Sequence, residues 1–260
     1  MWGYITNLGT IVGIVGVSFS NIFDDAWKGW VALTICALFL AFLAWRAYLV
    51  TSRVLKQTHP RGYLPLSSIV KYTTSDGKNI EYEAVRHIQI KRPFLRHINH
   101  RFNWSGSKEP VILSDIQTAG KPINVQGTTS QEVKLTFPTT RIYNDVEVVH
   151  MKMLLDDSDE TSLTHLAQKV ESPIRLLTYR VELLHVSNKY HGECAKLYRE
   201  NFENGNAAVA EELQTIKFNP STKSFDAKVP NPEPGYNYIL AWPRPGTSPS
   251  KTPKRKITRP

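Results

Sequence analysis

The hydrophobic pattern changes character near residue 50, and the first half of the change is the sharper. From Trp30 to Val50 the chain reads WVALTICALFLAFLAWRAYLV, with no acid and one base, Arg46. A helix of this length reaches roughly 30 Å, the thickness of a bilayer's hydrocarbon core. Trp27 and Trp30 mark one end and Trp45 and Tyr48 the other, where aromatic rings settle at headgroup depth. Arg46 lies one turn from the end, so its guanidinium can snorkel to the interface. Core helices of soluble proteins are usually shorter and keep a polar stripe, so this stretch predicts a membrane span.

A weaker apolar stretch precedes it over residues 2–23, and the two predict a transmembrane helical hairpin over 1–50. Gly9, Gly13, Gly16 and Ser20 recur at steps of four, three and four, which is one face of a helix. Small residues there let a second helix approach closely, either the neighbouring span or another protomer, with Asn7 and Thr10 able to hydrogen-bond across the contact. Cleavage after Ser18-Phe19-Ser20 as a signal peptide is disfavoured, because no basic segment precedes the apolar run and an intact span follows.

From about Tyr63 the pattern becomes short β-branched runs broken by turn residues. The expected strands are Ser68–Thr73, Asn79–His87, Asn99–Trp104, Val111–Ile116, Glu132–Phe137, Val146–Leu154, Arg175–Val186, Gln214–Phe218 and Tyr236–Trp242. Ser75-Asp76-Gly77 joins the first two as a hairpin turn. Asp157 to Glu160 has the form of a helix capping box, with Leu163, Leu166 and Val170 at helical spacing and Pro173 beyond. A second helix is expected from about Glu193 to Asn204, with a continuation to Leu213 as the longer reading. The predicted body, residues 63–242, is a mainly β sandwich or barrel of eight to ten strands with one or two helices. A basic juxtamembrane linker over 51–62 and a disordered basic tail over 243–260 flank it.

Charge sharpens this outline. The net charge is +9, and Arg244, Lys251, Lys254, Arg255, Lys256 and Arg259 place +6 of it beyond residue 243. The body is therefore not a nucleic-acid-binding surface by composition, and DNA is not an expected partner. The tail is either solvated or held on anionic lipid. Arg46, Arg53, Lys56 and Arg61 follow the span without an acid, so the positive-inside rule places that flank in the cytosol. The expectation is a two-pass protein of the inner (plasma) membrane with a cytoplasmic body, in which the sequon Asn103-Trp104-Ser105 stays unmodified. The two cysteines, Cys36 in the span and Cys194 in the body, offer no disulfide framework.

Catalytic signatures are thin. His191-Gly-Glu-Cys194 matches half of a zinc deaminase motif and lacks the second half. His87, His97 and His100 supply no clear tetrahedral set. Asp156, Asp157, Asp159 and Glu160 resemble a calcium loop in composition but lack its glycine and final glutamate. No phosphate-binding loop, nucleophile elbow or dinucleotide fingerprint occurs. The chain does not read as an enzyme, and no cofactor or metal is expected. The suggestive segment is 86–104, basic and aromatic without an acid. Arginine forks grip phosphate and rings stack on bases, so Arg86, Arg92, Arg96, Arg101 and Trp104 are candidate ligand-binding residues. A basic face turned to solvent or to the inner leaflet is the plainer alternative.

The hairpin, the stripe Gly9, Gly13, Gly16 and Ser20, and the β-rich body from Tyr63 together resemble, in architecture, bacterial anti-phage effectors. Those carry two transmembrane helices and a β-rich cytosolic domain that senses a cyclic nucleotide. The resemblance implies a homo-oligomer in which nucleotide binding drives helix association and membrane disruption. The alternative is a membrane-tethered protein-binding module or adaptor that makes no pore.

Overall fold

The structure is a computed structural model that describes residues 26–128, 130–187, 190–201 and 210–245, with side chains from Gly29 onward. The stripe Gly9, Gly13, Gly16 and Ser20, with the rest of the first apolar stretch, lies outside the described residues, as does the tail from residue 246. The described residues therefore show one apolar helix where a hairpin was expected. The chain divides into two compact units at Gln57 and Thr58.

The first unit contributes helix α1, Ala26–Thr58, of 33 residues. It runs about 50 Å at 1.5 Å per residue, longer than a roughly 30 Å hydrocarbon core. Its apolar run from Gly29 is long and hydrophobic enough to cross a membrane, and Trp30, Leu38, Leu40 and Phe42 are exposed. Residues 51–58, expected as linker, are the last turns of this helix. Pro60 explains the stop, because a proline disfavours helical backbone at the residue before it.

Among the described residues the second unit has fourteen strands, more than the eight to ten expected. A six-stranded sheet forms its base. In spatial order its strands are β13 (Ser224–Pro230), β10 (Leu176–Leu183), β1 (Tyr63–Thr74), β2 (Asn79–Ile90), β8 (Val146–Asp156) and β4 (Val111–Leu113). Strands β1 and β10 run parallel, while the other neighbours are antiparallel. A four-stranded sheet has the order β12 (Glu211–Lys217), β11 (Cys194–Asn201), β14 (Tyr236–Ala241) and β9 (His165–Val170). The third sheet centres on β7 (Gln131–Ile142), flanked by β3 (Phe94–Phe102), β5 (Thr118–Ala119) and β6 (Ile123–Asn124).

Strand alternation decides which face of the base sheet is covered. Register places Ala227, Tyr179, Val70, Ala84 and Met151 side by side across five strands, on one face. All five are buried. Over β13, β10 and β1 the four-stranded sheet covers this face, packing Leu166, Leu197, Tyr238 and Leu240 onto Leu177, Tyr179 and Phe225. Over β2 and β8 the third sheet covers it, packing Ile98, Phe102, Val133 and Leu135 onto Ile88, Met151 and Met153. Each such side chain gains about 1.5–3 kcal/mol by leaving water. Tyr72 and Tyr82 touch both cores. The opposite face of the base sheet is polar and cross-linked, with Lys71 3.0 Å from Glu182 and Lys152 2.7 Å from Glu81. One covered and one wet face is the usual state of antiparallel sheet.

Where the structure describes them, both expected helices give way to strands; 202–209, in the second, lie outside the described residues. In β9 the buried residues are Leu166 and Val170 with Gln168 half-buried between them, a period of two that a helical reading of Leu163, Leu166 and Val170 overlooks. In β11 Ala195 and Leu197 alternate inward in the same way, and β14 pairs with both strands. Tertiary pairing overrides local propensity here.

Candidate ligand pocket

The expected hairpin at Ser75-Asp76-Gly77 forms, and it makes one wall of a cavity. Asp76 accepts hydrogen bonds from the backbone N–H of Lys78 (2.8 Å) and Asn79 (2.7 Å) and from Asn79 Nδ2 (2.6 Å). These bonds, led by that from Lys78, lower its pKa to about 2 and tie both oxygens into the turn. Gly77 adopts φ +79°, which an L side chain resists, and a Cβ there would lie 3.0 Å from His185 Nε2.

The cavity has a volume of about 180 Å³. Its apolar side is Tyr72 and Trp242, whose rings meet edge to face at 4.9 Å between centroids. Burial raises the Tyr72 pKa, Asp157 raises it further and Arg244 pulls it back, so the phenol stays neutral. Its polar side includes Lys78, Glu160, Thr164, His185 and Arg244. Arg244 is held from behind. Its Nη2 donates to Asp157 Oδ2 at 3.0 Å and to the Ser162 carbonyl at 2.7 Å. Asp157 is 1% exposed and also accepts from the Ser162 N–H (2.8 Å) and Ser162 Oγ (2.6 Å). The acids read as a helix cap therefore form a loop, and one of them is the buried socket of an arginine assigned by sequence to the tail.

Two charges on the rim are unpaired among the described residues: the Lys78 ammonium and the Glu160 carboxylate. Glu160 sits at φ +56°, a conformation uncommon for any residue but glycine. His185 Nδ1 is buried without a hydrogen-bond partner among the described residues. The pocket thus presents exposed charges of both signs beside an aromatic edge.

The five candidate residues from the basic segment lie elsewhere and have separate partners. Arg86 is on the covered face of the base sheet, in register with Ser68 and Val149, and donates to Gln168 Oε1 at 3.1 Å. It bridges toward the four-stranded sheet at the seam between the two covering sheets. Ser68 and His100 are buried at 1% and 2% exposure, and neither Ser68 Oγ nor His100 Nδ1 has a partner among the described residues. Burial, then Arg86 and Arg61, holds the His100 pKa well below 6.5. Arg92 donates to the Pro60 carbonyl at 2.7 Å, Arg101 pairs with Glu132 at 3.0 Å, and Arg96 is exposed on β3. Trp104 donates from Nε1 to the Lys108 carbonyl at 2.8 Å and lines a second cavity of about 180 Å³ with Lys108, Glu109 and Gln131.

The histidines do not gather either. His87 faces the open side of the base sheet, 2.8 Å from Ser67 Oγ, and His100 faces the covered side. Among the described residues no group of three or more His, Cys, Asp or Glu is placed to hold a metal ion. Asp156 and Asp159 are engaged by Lys108 and Ser107. Tyr72, Lys78, His185 and Trp242 carried no sequence signal as a site. The pocket draws on four stretches spread from 72 to 245, and only the fold brings them together.

The chain matches no protein-family model and no curated protein. Among solved structures it is similar to an M1 zinc metallopeptidase from Deinococcus radiodurans, with 9% identity, 70% of this chain and 42% of that chain covered, and a TM-score of 0.38. It is also similar to baculovirus P35, with 8% identity, 71% and 98% covered, and a TM-score of 0.32. The RrgB pilus protein of Streptococcus pneumoniae gives 13% identity, 69% and 36% covered, and a TM-score of 0.27. The chain spans less than half the length of the peptidase. Likenesses this distant carry no argument about activity.

Proposed function

We propose that this chain is a membrane-anchored recognition protein, in which α1 crosses the bilayer and the β unit binds a small charged ligand between Tyr72 and Arg244. The observation that carries the reading is the pair of unpartnered rim charges, Lys78 and Glu160, around a cavity whose arginine is locked in place by a buried aspartate. Both rim charges are exposed and solvated without a ligand, so what preorganises the cavity is the buried Asp157 that holds Arg244. The cytosolic placement of the β unit follows the basic flank of Arg46, Arg53, Lys56 and Arg61. No reaction is assigned to the pocket.

The nucleotide-gated effector is a narrower form of the same reading. It would need a cyclic nucleotide as ligand and association through the Gly9, Gly13, Gly16 and Ser20 stripe. Thermal melting of the full chain in nanodiscs, against a panel of cyclic nucleotides, sugar phosphates, amino acids and carboxylates, tests both. A ligand-dependent rise in melting temperature that Lys78→Met or Glu160→Gln abolishes locates the site. A rise with cyclic nucleotides, joined to dye release from liposomes, selects the effector. No rise with any compound overturns the proposal.

A further inference from the structure

We infer that the seam between the two covering sheets holds a small monovalent inorganic anion of the halide class, bound by Arg86, Ser68 and His100. The site is separate from the pocket at Tyr72 and Trp242 and does not depend on what that pocket binds. Strand alternation turns the three side chains onto one seam. Leu177, Ser68, Arg86 and Val149 form a row across the covered face of the base sheet, so Ser68 and Arg86 stand side by side between two buried apolar neighbours. Gln168 turns inward from β9 between buried Leu166 and Val170, and Arg86 Nη2 donates to its Oε1 at 3.1 Å. His100 turns inward from β3 between buried Ile98 and Phe102, near enough to Arg86 for that charge to act on its ring.

Charge decides what this cluster takes. Arg86 is half-buried and pairs with no carboxylate among the described residues; the acid that follows β9, Glu171, is engaged by Arg61 and Lys169. A guanidinium carries five N–H donors, and the bond to Gln168 uses one of them. Ser68 Oγ and His100 Nδ1 are the buried orphans beside it. His100 stays neutral, so its Nδ1 donates in one of the two tautomers. Water satisfies a buried hydroxyl or imidazole, but it does not supply the counter-charge that a guanidinium between packed layers lacks. An anion meets all three donors at once. Space selects a small one. The two cavities of about 180 Å³ lie elsewhere, at Tyr72 and at Trp104, and side chains packed to interior density leave room only for an ion of nearly water size. Bound there, the anion ties the base sheet to both covering sheets, and the stability of the β unit becomes halide-dependent.

The test is thermal melting of the full chain in nanodiscs, in sodium chloride, sodium bromide and sodium gluconate at matched ionic strength. The expected result is a saturable rise in melting temperature with either halide over gluconate. Ser68→Ala removes one donor at little change in volume and should weaken the apparent halide affinity roughly tenfold. Arg86→Gln should abolish the rise. Bromide-soaked crystals of the unaltered chain should show an anomalous peak between Arg86, Ser68 and His100, a readout that needs neither variant to fold. No rise over gluconate overturns the inference and leaves water as the partner of Ser68 and His100. A rise that both substitutions leave unchanged, or a bromide peak only at other places, means an adventitious ion only and overturns it equally.

Discussion

Asp157 and Arg244 meet at 3.0 Å across 87 residues of sequence, with the carboxylate almost fully buried. Removing one partner of such a pair strands the other charge, at a cost of about 3–5 kcal/mol. Asp157→Ala should therefore lower the melting temperature of the β unit by roughly 10 °C. Tryptophan fluorescence during heating checks this, since Trp242 adjoins the pair. A fall of less than about 2 °C would mean the pair does not hold the pocket.

Phe225 tests the core beneath the four-stranded sheet. It is fully buried and meets Phe218 edge to face at 5.2 Å. Phe225→Ala should cost about 3–5 kcal/mol through lost burial and the cavity left behind. Phe225→Leu should cost markedly less, and the contrast in thermal melts separates packing from nonspecific damage.

His100 predicts an acid limb. Its folded pKa lies well below 6.5, first because it is buried and then because of Arg86 and Arg61. Below about pH 6.5 the unfolded chain binds a proton at this residue that the folded chain refuses. The folded state therefore loses stability as pH falls from 6.5 toward the folded pKa. His100→Asn should flatten the fall of melting temperature between pH 7 and pH 5, whatever it does to the absolute value. An unchanged slope would exclude His100 as its source.

Whether α1 anchors the chain in a membrane can be tested by charge. Leu38 and Phe42 are exposed one turn apart on α1. Arginine at the centre of a span costs about 2.5–3.5 kcal/mol on insertion scales. Leu38→Arg with Phe42→Arg should release the protein from alkali-washed membranes. Retention of the double variant would assign an anchor to residues 2–23.

Orientation has its own reporter. Asn103 is exposed just beyond β3 and belongs to a sequon. In a eukaryotic host the protein should carry no glycan there. A mass shift removed by Asn103→Gln would put the β unit on the lumenal side.

The sequence was most readable where local chemistry suffices. The apolar helix through Trp30, the Asp76-Gly77 hairpin and the strand from Tyr236 all appear where pattern placed them. It was least readable where partners are distant. Leu163, Leu166 and Val170 fit a helix as well as a strand until β14 pairs with β9. Ser224–Pro230 was not expected as a strand, although Phe225, Ala227 and Val229 alternate with Asp226 and Lys228, and it edges the base sheet because β10 gives it a partner. Arg244 looked like tail because its socket, Asp157, looked like a helix cap. The basic segment failed to become one site for a simple reason. On a strand, neighbouring residues point to opposite faces, so His100 is buried while Arg101 reaches Glu132 in solvent.

The parallel pairing of β1 with β10 also sets an order of events in synthesis. Ser67 pairs with Leu176, and β10 in turn needs β13, which ends at Pro230. The base sheet is therefore incomplete until Pro230 has been made, whereas α1 precedes every strand of it. Sheets closed by such distant pairings form slowly. The β unit must therefore complete its core late, with the apolar faces of β1 and β2 left uncovered until β10 and β13 exist.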